Sequence, residues 1–419
     1  MKTRGVRLYG KNDLRIETFN LPEISDDEIL AHVVTDSICM STHKAVVQGS
    51  EHKRVPSDID KRPIIIGHEF CGEIIKVGRN YKNRWSVGDR FVIQPAINYN
   101  GTMDAPGYSF AYIGGASEYV IIPKEVLETD NLIKYSSDCF YKGSLSEPMS
   151  CIIGAFNASY HTKIGTYEHI MGTKPNGNMI ILGGCGPMGM GAIDYALNAY
   201  ENKPKILVVT DMDMERVEEC DKIFKNATNS LTVLATSSKE ELLRYTSGEG
   251  YDDVFVFAPS KELIRLGSEL LAEDGCLNFF AGPEIKDFFA EFNFYDAHYS
   301  GTHVVGTSGG NKDDMEKAVS LIESNSINPS RMITHIGGID SIIDTTLKLP
   351  ELRGGKKLIY LDIDLPLIEI KDLEELSKNG GEMAELYSKL YELCALHGGF
   401  WNEAAEKYLL SYMKRGEKK

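Results

Sequence analysis

The chain has 419 residues, 42% of them hydrophobic and 25% charged, a length at which single cores stop growing, so two domains are expected. Its 45 Lys and Arg stand against 61 Asp and Glu, a formal charge of -16, and that field opposes binding to nucleic acid or an anionic membrane surface. No apolar run reaches membrane-spanning length, and the opening MKTRGVRLYGKND lacks the apolar core of a signal peptide, so the chain reads as cytoplasmic.

Residues 1 to about 150 give short β-type runs, GVRLYG, LRIETF, EILAHVV, CGEIIKVG, DRFVIQP and SEYVIIP, separated by Gly, Pro and Asp. They predict a partly closed β domain. From about 177 the texture changes: NMIILGG and KILVVTD read as buried strands, PMGMGAIDYALNAY and MERVEECDKIFKN as helices, and DDVFVFA, KELIRLGSELLAE, GCLNFFAG and HVVG continue the alternation. Buried strands alternating with helices predict a doubly wound parallel sheet in an α/β fold. After about 310, a helix (DDMEKAVSLIESN), a strand (RMITHIG), a helix (DSIIDTTLKL) and a strand (KKLIYLDI) offer a return to the first domain. The remainder reads as helices. Eight cysteines, at 39, 71, 139, 151, 185, 220, 276 and 394, form no close pair and no CxxC, which argues against a disulfide framework.

GGCGPMG carries the spacing G-x-G-x-x-G as Gly184, Gly186 and Gly189, with Pro187 and Met188 between them. Such glycines allow a tight turn, a close backbone approach to a pyrophosphate, and close packing of helix on strand. The context fits, since the motif follows a strand, opens a helix and precedes Asp211 at the end of KILVVTD. A carboxylate there can accept both adenosine ribose hydroxyls and repel a 2′-phosphate, which favours NAD(H) over NADP(H). Arg216 nearby could stack on adenine or meet a 2′-phosphate.

Three segments offer metal donors: Cys39 with Ser41 and His43 in ICMSTHK, His68 and Glu69 in GHEFCGEIIKVG, and Glu147 before a proline in LSEPMSC. His68 and Glu69 are adjacent and would face opposite ways on a strand, so aiming both at one ion needs irregular backbone, which Gly67 and Gly72 permit. One Cys, one His and carboxylates make a mixed set that suits a catalytic zinc with an exchangeable position.

With Cys39 and Ser41, GHEFCGEIIKVG, VGDR at 87–90, GGASEY at 114–119, LSEPMSC, GGCGPMG and TDMDMER at 210–216 in this order, the sequence resembles the zinc-dependent medium-chain dehydrogenase/reductases. The resemblance implies a GroES-like β-rich catalytic domain at 1–152 and 306–365, a Rossmann domain at 153–305, and a helical C-terminal extension at 366–419. It implies one catalytic zinc in the cleft between the domains, with Cys39 and His68 as ligands, Glu69 and Glu147 as glutamates of which one or both ligate, and Ser41 as the proton-relaying hydroxyl. Three departures stand out. The segment 94–115 lacks the four cysteines of the family's structural-zinc lobe; Lys44 holds the usual relay histidine's position, with His43 one residue early; and the extension exceeds the usual length. The expected function is hydride transfer between NAD(H) and the secondary alcohol or ketone of a polyol or sugar, by resemblance a sugar phosphate of the sorbose 1-phosphate or sorbitol 6-phosphate type. The loop QGSEHKRVPSDIDKRP, with His52, Lys53, Arg54, Lys61 and Arg62, offers a phosphate clamp. A homodimer or homotetramer joined at the Rossmann edge is implied by the resemblance. The alternatives are a zinc-free enone or quinone reductase and a non-catalytic nucleotide-binding protein.

Overall fold

The computed structural model describes residues 1–225 and 230–416. Asn226, at the end of one expected helix, and the last three residues of the extension lie outside the described residues. The chain forms two compact units, Met1–Glu147 with Ile333–Lys419, and Pro148–Met332. Among the described residues no helix is long and apolar enough to cross a membrane, and all eight cysteines are free.

The second unit is built on six parallel strands in the spatial order Leu231–Ala235, Ile206–Asp211, Asn178–Leu182, Tyr251–Val256, Leu271–Phe279 and His303–Gly306. Strands that read as unbroken apolar runs are the central ones: Asn178–Leu182 and Tyr251–Val256 are buried along their whole length, as expected when helices cover both faces. Counted in chain order this is 3-2-1-4-5-6, the doubly wound arrangement that binds nucleotides where the order reverses. The expected end of this domain at 305 is corrected. Helix Lys312–Glu323 belongs to the unit, because Asp314 forms a capping box with Asn311 and also accepts from the Asn157 side chain at 2.8 Å.

The first unit carries a sheet in the order Ile368–Glu369, Ile333–Gly338, Lys356–Tyr360, Ile29–Ile38, Phe70–Val77, Arg90–Ile93 and Leu132–Tyr135, with Tyr119–Ile122 also paired to Ile29–Ile38. Alternating residues such as Ile29, Ala31 and Val33 enter one core with Ile74, Phe91 and Val120. Register decides what happens at the sheet's end. Asp36 lies opposite Phe70, and Lys357 opposite Ile38. Cys39, His68 with Glu69, and Lys356 therefore emerge side by side from three adjacent strands.

The C-terminal extension is part of this unit. Helices Leu373–Lys378, Ala384–Ala395 and Glu403–Gly416 bury Leu373, Leu386, Leu390 and Leu409, with Trp401 from the loop before the last helix, in a core shared with Ile336, Leu358 and Tyr360. Trp401 donates its indole N–H to the Tyr360 hydroxyl at 2.7 Å, and that hydroxyl donates to Glu406 at 2.9 Å. Glu406 also accepts from the amides of Phe140 (2.6 Å) and Tyr141 (2.9 Å), at the start of the short helix Tyr141–Ser144. Burial, opposed by those hydrogen bonds, pushes the Glu406 carboxyl up to about 7. A carboxyl raised on folding adds stability below its unfolded pKa, and that share is lost as pH rises through about 7. Urea unfolding should therefore show stability falling between pH 5 and 8 by on the order of 3 kcal/mol from this group. In Glu406→Gln that slope should vanish, and an unchanged slope would remove Glu406 as its source.

Candidate metal and catalytic site

Cys39 follows the strand Ile29–Ile38 directly and is the N-cap of helix Met40–Gln48. Ser41 and Thr42 occupy the first turn of that helix. His68 and Glu69 lie in the irregular turn before Phe70–Val77. Gly67 makes this turn at φ +89, where a Cβ would overlap the Asp36 carboxylate. The Cys39 thiol, one His68 ring nitrogen and one Glu69 oxygen all lie within 4.8 Å of one another. Glu147, at the start of helix Ser146–Ala158, is buried and acts electrostatically on Cys39 and Lys356, but it lies outside that tight set.

The ring of His68 is fixed at both nitrogens. Nδ1 pairs with the Thr42 hydroxyl at 3.1 Å, while Nε2 has the Ser41 hydroxyl at 3.2 Å and the Tyr108 hydroxyl at 3.4 Å. If Thr42 accepts from Nδ1–H, the Nε2 lone pair faces the cluster, the tautomer a metal ligand needs. Burial lowers the His68 pKa to about 4, helped by Lys356 and Arg54 and opposed by Glu69, so the ring is a neutral donor at pH 7. Burial likewise pushes the Cys39 thiol up to about 12, with Glu69 and Glu147 adding to the effect while Lys356 and the Ser41 hydrogen bond at 3.1 Å oppose it. The donor set fits a divalent cation, which would favour the thiolate that burial disfavours.

Glu69 is already engaged. Lys356 reaches its two oxygens at 2.5 and 2.7 Å, Ser37 donates to it, and both members of the ion pair are buried, at 5% and 1% side-chain exposure. Burial acts to lower the Lys356 pKa, but Glu69 and Cys39 outweigh it and hold the ammonium above the ordinary lysine value. Among the relay residues, the His43 ring meets the Thr346 carbonyl through Nδ1 at 2.8 Å. A carbonyl only accepts, so Nδ1 carries the proton and Nε2 is the acceptor of the neutral ring. Lys44 follows, half-buried on the same helix.

In the second unit, Gly184 and Gly186 lie between strand Asn178–Leu182 and helix Pro187–Asp194, with Gly186 as N-cap, Pro187 and Met188 opening the helix and Gly189 in its first turn. A Cβ on Gly189 would come within 1.9 Å of the Gly184 carbonyl oxygen, so this close approach of helix to strand admits only glycine. Asp211, buried at the end of strand Ile206–Asp211, accepts from the amides of Cys185 and Asp213, each at 3.1 Å. Arg216 lies against the loop, its Nη1 3.7 Å from where a Gly186 Cβ would stand, and it faces Asp213 at 3.8 Å.

Residues 25–130 match the alcohol dehydrogenase GroES-like domain, and residues 187–324 match the zinc-binding dehydrogenase domain. The chain belongs to the zinc-dependent medium-chain dehydrogenase/reductase family. It is 48% identical to the L-sorbose 1-phosphate reductase of Klebsiella pneumoniae and 43% identical to the mannitol-1-phosphate 5-dehydrogenase of Aliivibrio fischeri, with 98% of each chain covered in both cases. The 2R,3R-butanediol dehydrogenase of Bacillus subtilis shares the fold, with a TM-score of 0.70 at 22% identity over 85% of this chain and 99% of that one. As a member of this family the protein is an NAD(P)-dependent oxidoreductase.

Three residues of this dehydrogenase's site escaped the sequence reading. Thr42 sits between two residues that were singled out, so its place one step along the helix was an available signal. Lys356 heads a strand that is buried throughout, Lys356–Tyr360, and a lysine leading an apolar run was the only hint. Tyr108 comes from the 94–115 segment that lacks the lobe cysteines. Gly107, at φ +79, lets that segment lie against Gly67, where a Cβ would be 2.0 Å from the carbonyl oxygen, and this brings the Tyr108 ring to 4.9 Å from that of His68.

Proposed function

We propose that the enzyme transfers hydride between NAD(H) and the secondary alcohol or ketone of a phosphorylated polyol or ketose. The reading rests on the buried Cys39, His68 and glutamate cluster in a chain whose near-full-length relatives are named for such compounds. Cys39 and His68 would hold zinc, with Glu69 and Glu147 as the carboxylates beside them, and the ion would supply Lewis-acid stabilisation of the alcohol oxygen as it becomes an alkoxide. Ser41, next to both Cys39 and His68, takes the substrate's hydroxyl proton. His43 is the terminal acceptor through Nε2, with Lys44 as the neighbouring charge. Thr42 keeps His68 from turning, and burial of the cluster excludes water from the polarised oxygen. Gly184, Gly186, Pro187, Met188 and Gly189 offer helix N-terminal amides to the cofactor's pyrophosphate. The exposed edge strand His303–Gly306 is where a second copy would pair.

An assay of sorbose 1-phosphate reduction with NADH tests the reading: metal-dependent turnover supports it, and metal-independent enone reduction would overturn it. For cofactor choice, Asp211 gives the preference for NAD(H). Asp211→Ala should raise kcat/KM for NADPH relative to NADH by roughly tenfold or more, through loss of repulsion toward the 2′-phosphate. An unchanged ratio would pass the choice to Arg216.

A further inference from the structure

Of the five basic residues in the loop at 48–63, most face solvent. Lys53 and Lys61 are exposed, and Arg62, at 75% exposure, is tied to Asp58 at 2.7 Å. Arg54 differs. It is half-buried, with its guanidinium 5.4 Å from the centre of the Tyr108 ring. His52 stacks on the same tyrosine at 5.7 Å. The Arg54 backbone is fixed as well, its carbonyl accepting from the Ser109 hydroxyl at 2.7 Å and its amide donating to His52 Nδ1 at 3.3 Å.

Arginines elsewhere in this unit meet carboxylates, as Arg7 does Glu17 and Arg90 does Glu73. Arg54 meets none among the described residues, and its Nε, like that of Arg7, is buried without a hydrogen-bond partner, so the absence of a carboxylate is what sets Arg54 apart. A buried donor left unpaired is costly, and a planar cation held on an aromatic face with its donors free is built to receive a planar or tetrahedral oxyanion. The same Tyr108 ring lies 4.9 Å from the His68 ring. Burial lowers His52 to about 4, with Arg54 and Lys53 adding to the effect, so His52 brings no second charge at neutral pH and Arg54 is the cation there.

The geometry points to Arg54, seated on Tyr108, as the specificity-determining residue that binds the phosphate monoester of the substrate beside the metal cluster. This assignment rests on the proposed polyol or ketose chemistry and adds the residue that selects the phosphorylated form. Lys53, Lys61 and Arg62, turned to solvent, take no part.

The test compares kcat/KM for sorbose 1-phosphate with that for sorbose in the wild-type enzyme and in Arg54→Leu, Arg54→Lys and Arg62→Ala, each checked for metal content and thermal melting. In Arg54→Leu the ratio should fall roughly 10- to 100-fold, carried by KM for the phosphorylated substrate. Competitive inhibition by inorganic phosphate should weaken in parallel. Arg54→Lys should recover part of the ratio, and Arg62→Ala should keep it. A ratio unchanged in folded, metal-loaded Arg54→Leu would overturn the assignment while leaving the proposed reaction standing. A change confined to KM for NADPH would overturn it too, by giving the guanidinium to the cofactor's phosphate. A wild-type enzyme that reduces neither compound would overturn the reaction itself.

Discussion

Cys39→Ala is expected to lower kcat by about a thousandfold or more and to remove the bound metal. A thousandfold loss corresponds to about 4 kcal/mol of transition-state stabilisation, within what a Lewis-acid ion supplies at a developing alkoxide. The fold should survive the change, because the cysteine lies just past the end of its strand and, among the described residues, its side chain bonds only to the Ser41 hydroxyl. Melting within a few degrees of wild type, together with lost turnover, would place Cys39 in the chemistry. Retained turnover would mean that the cluster serves packing alone.

Lys356→Met should be the most destabilising single change at the site. It strands the Glu69 carboxylate, buried to 1% side-chain exposure, with Ser37 and a nearby carboxyl, Asp36, whose own pKa is pushed well above normal by burial first and Glu69 second. Breaking a buried pair from one side costs about 3–5 kcal/mol, which for a unit of this size lowers its melting transition by roughly 10 °C. In Glu69→Gln with Lys356→Met the charge is gone from both sides, and most of that loss should be recovered, a coupling of about 2 kcal/mol or more. Scanning calorimetry of the two single variants and the double variant checks this. Strictly additive losses would show that the pair acts as two independent residues.

The local signals in the sequence were sufficient where one stretch of chain does the work. The glycine loop is legible because turn, helix start and acidic residue lie within about thirty residues and each is dictated by backbone sterics. The strands were legible from alternation in the first unit and from unbroken apolar runs in the second. Cys39 and His68 stood out because their residue types are scarce and their flanks irregular. Lys356 did not, because its place beside Glu69 follows from antiparallel register between strands more than 280 residues apart, which no local pattern encodes. Tyr108 was hidden for a related reason: it sits in a loop without periodicity and reaches His68 only through the close approach that Gly107 allows. The boundary near 305 failed because helix Lys312–Glu323 reads the same whichever unit it packs against. In the extension, Trp401 and Glu406 read as ordinary helix residues, and only the structure joins them to Tyr360 and to the amides of Phe140 and Tyr141.

The proposed chemistry requires that Cys39 and His68 hold a catalytic metal in an enzyme of phosphorylated polyols or ketoses. Its most direct test is the zinc content per chain, by elemental analysis of protein purified without chelator, in the wild type, Cys39→Ala and His68→Ala, with NADH binding followed in the same samples. One zinc per chain is expected in the wild type, lost in both variants while NADH still binds. Zinc retained at full occupancy in both variants, or absent from a wild-type enzyme that turns over sorbose 1-phosphate, would contradict it.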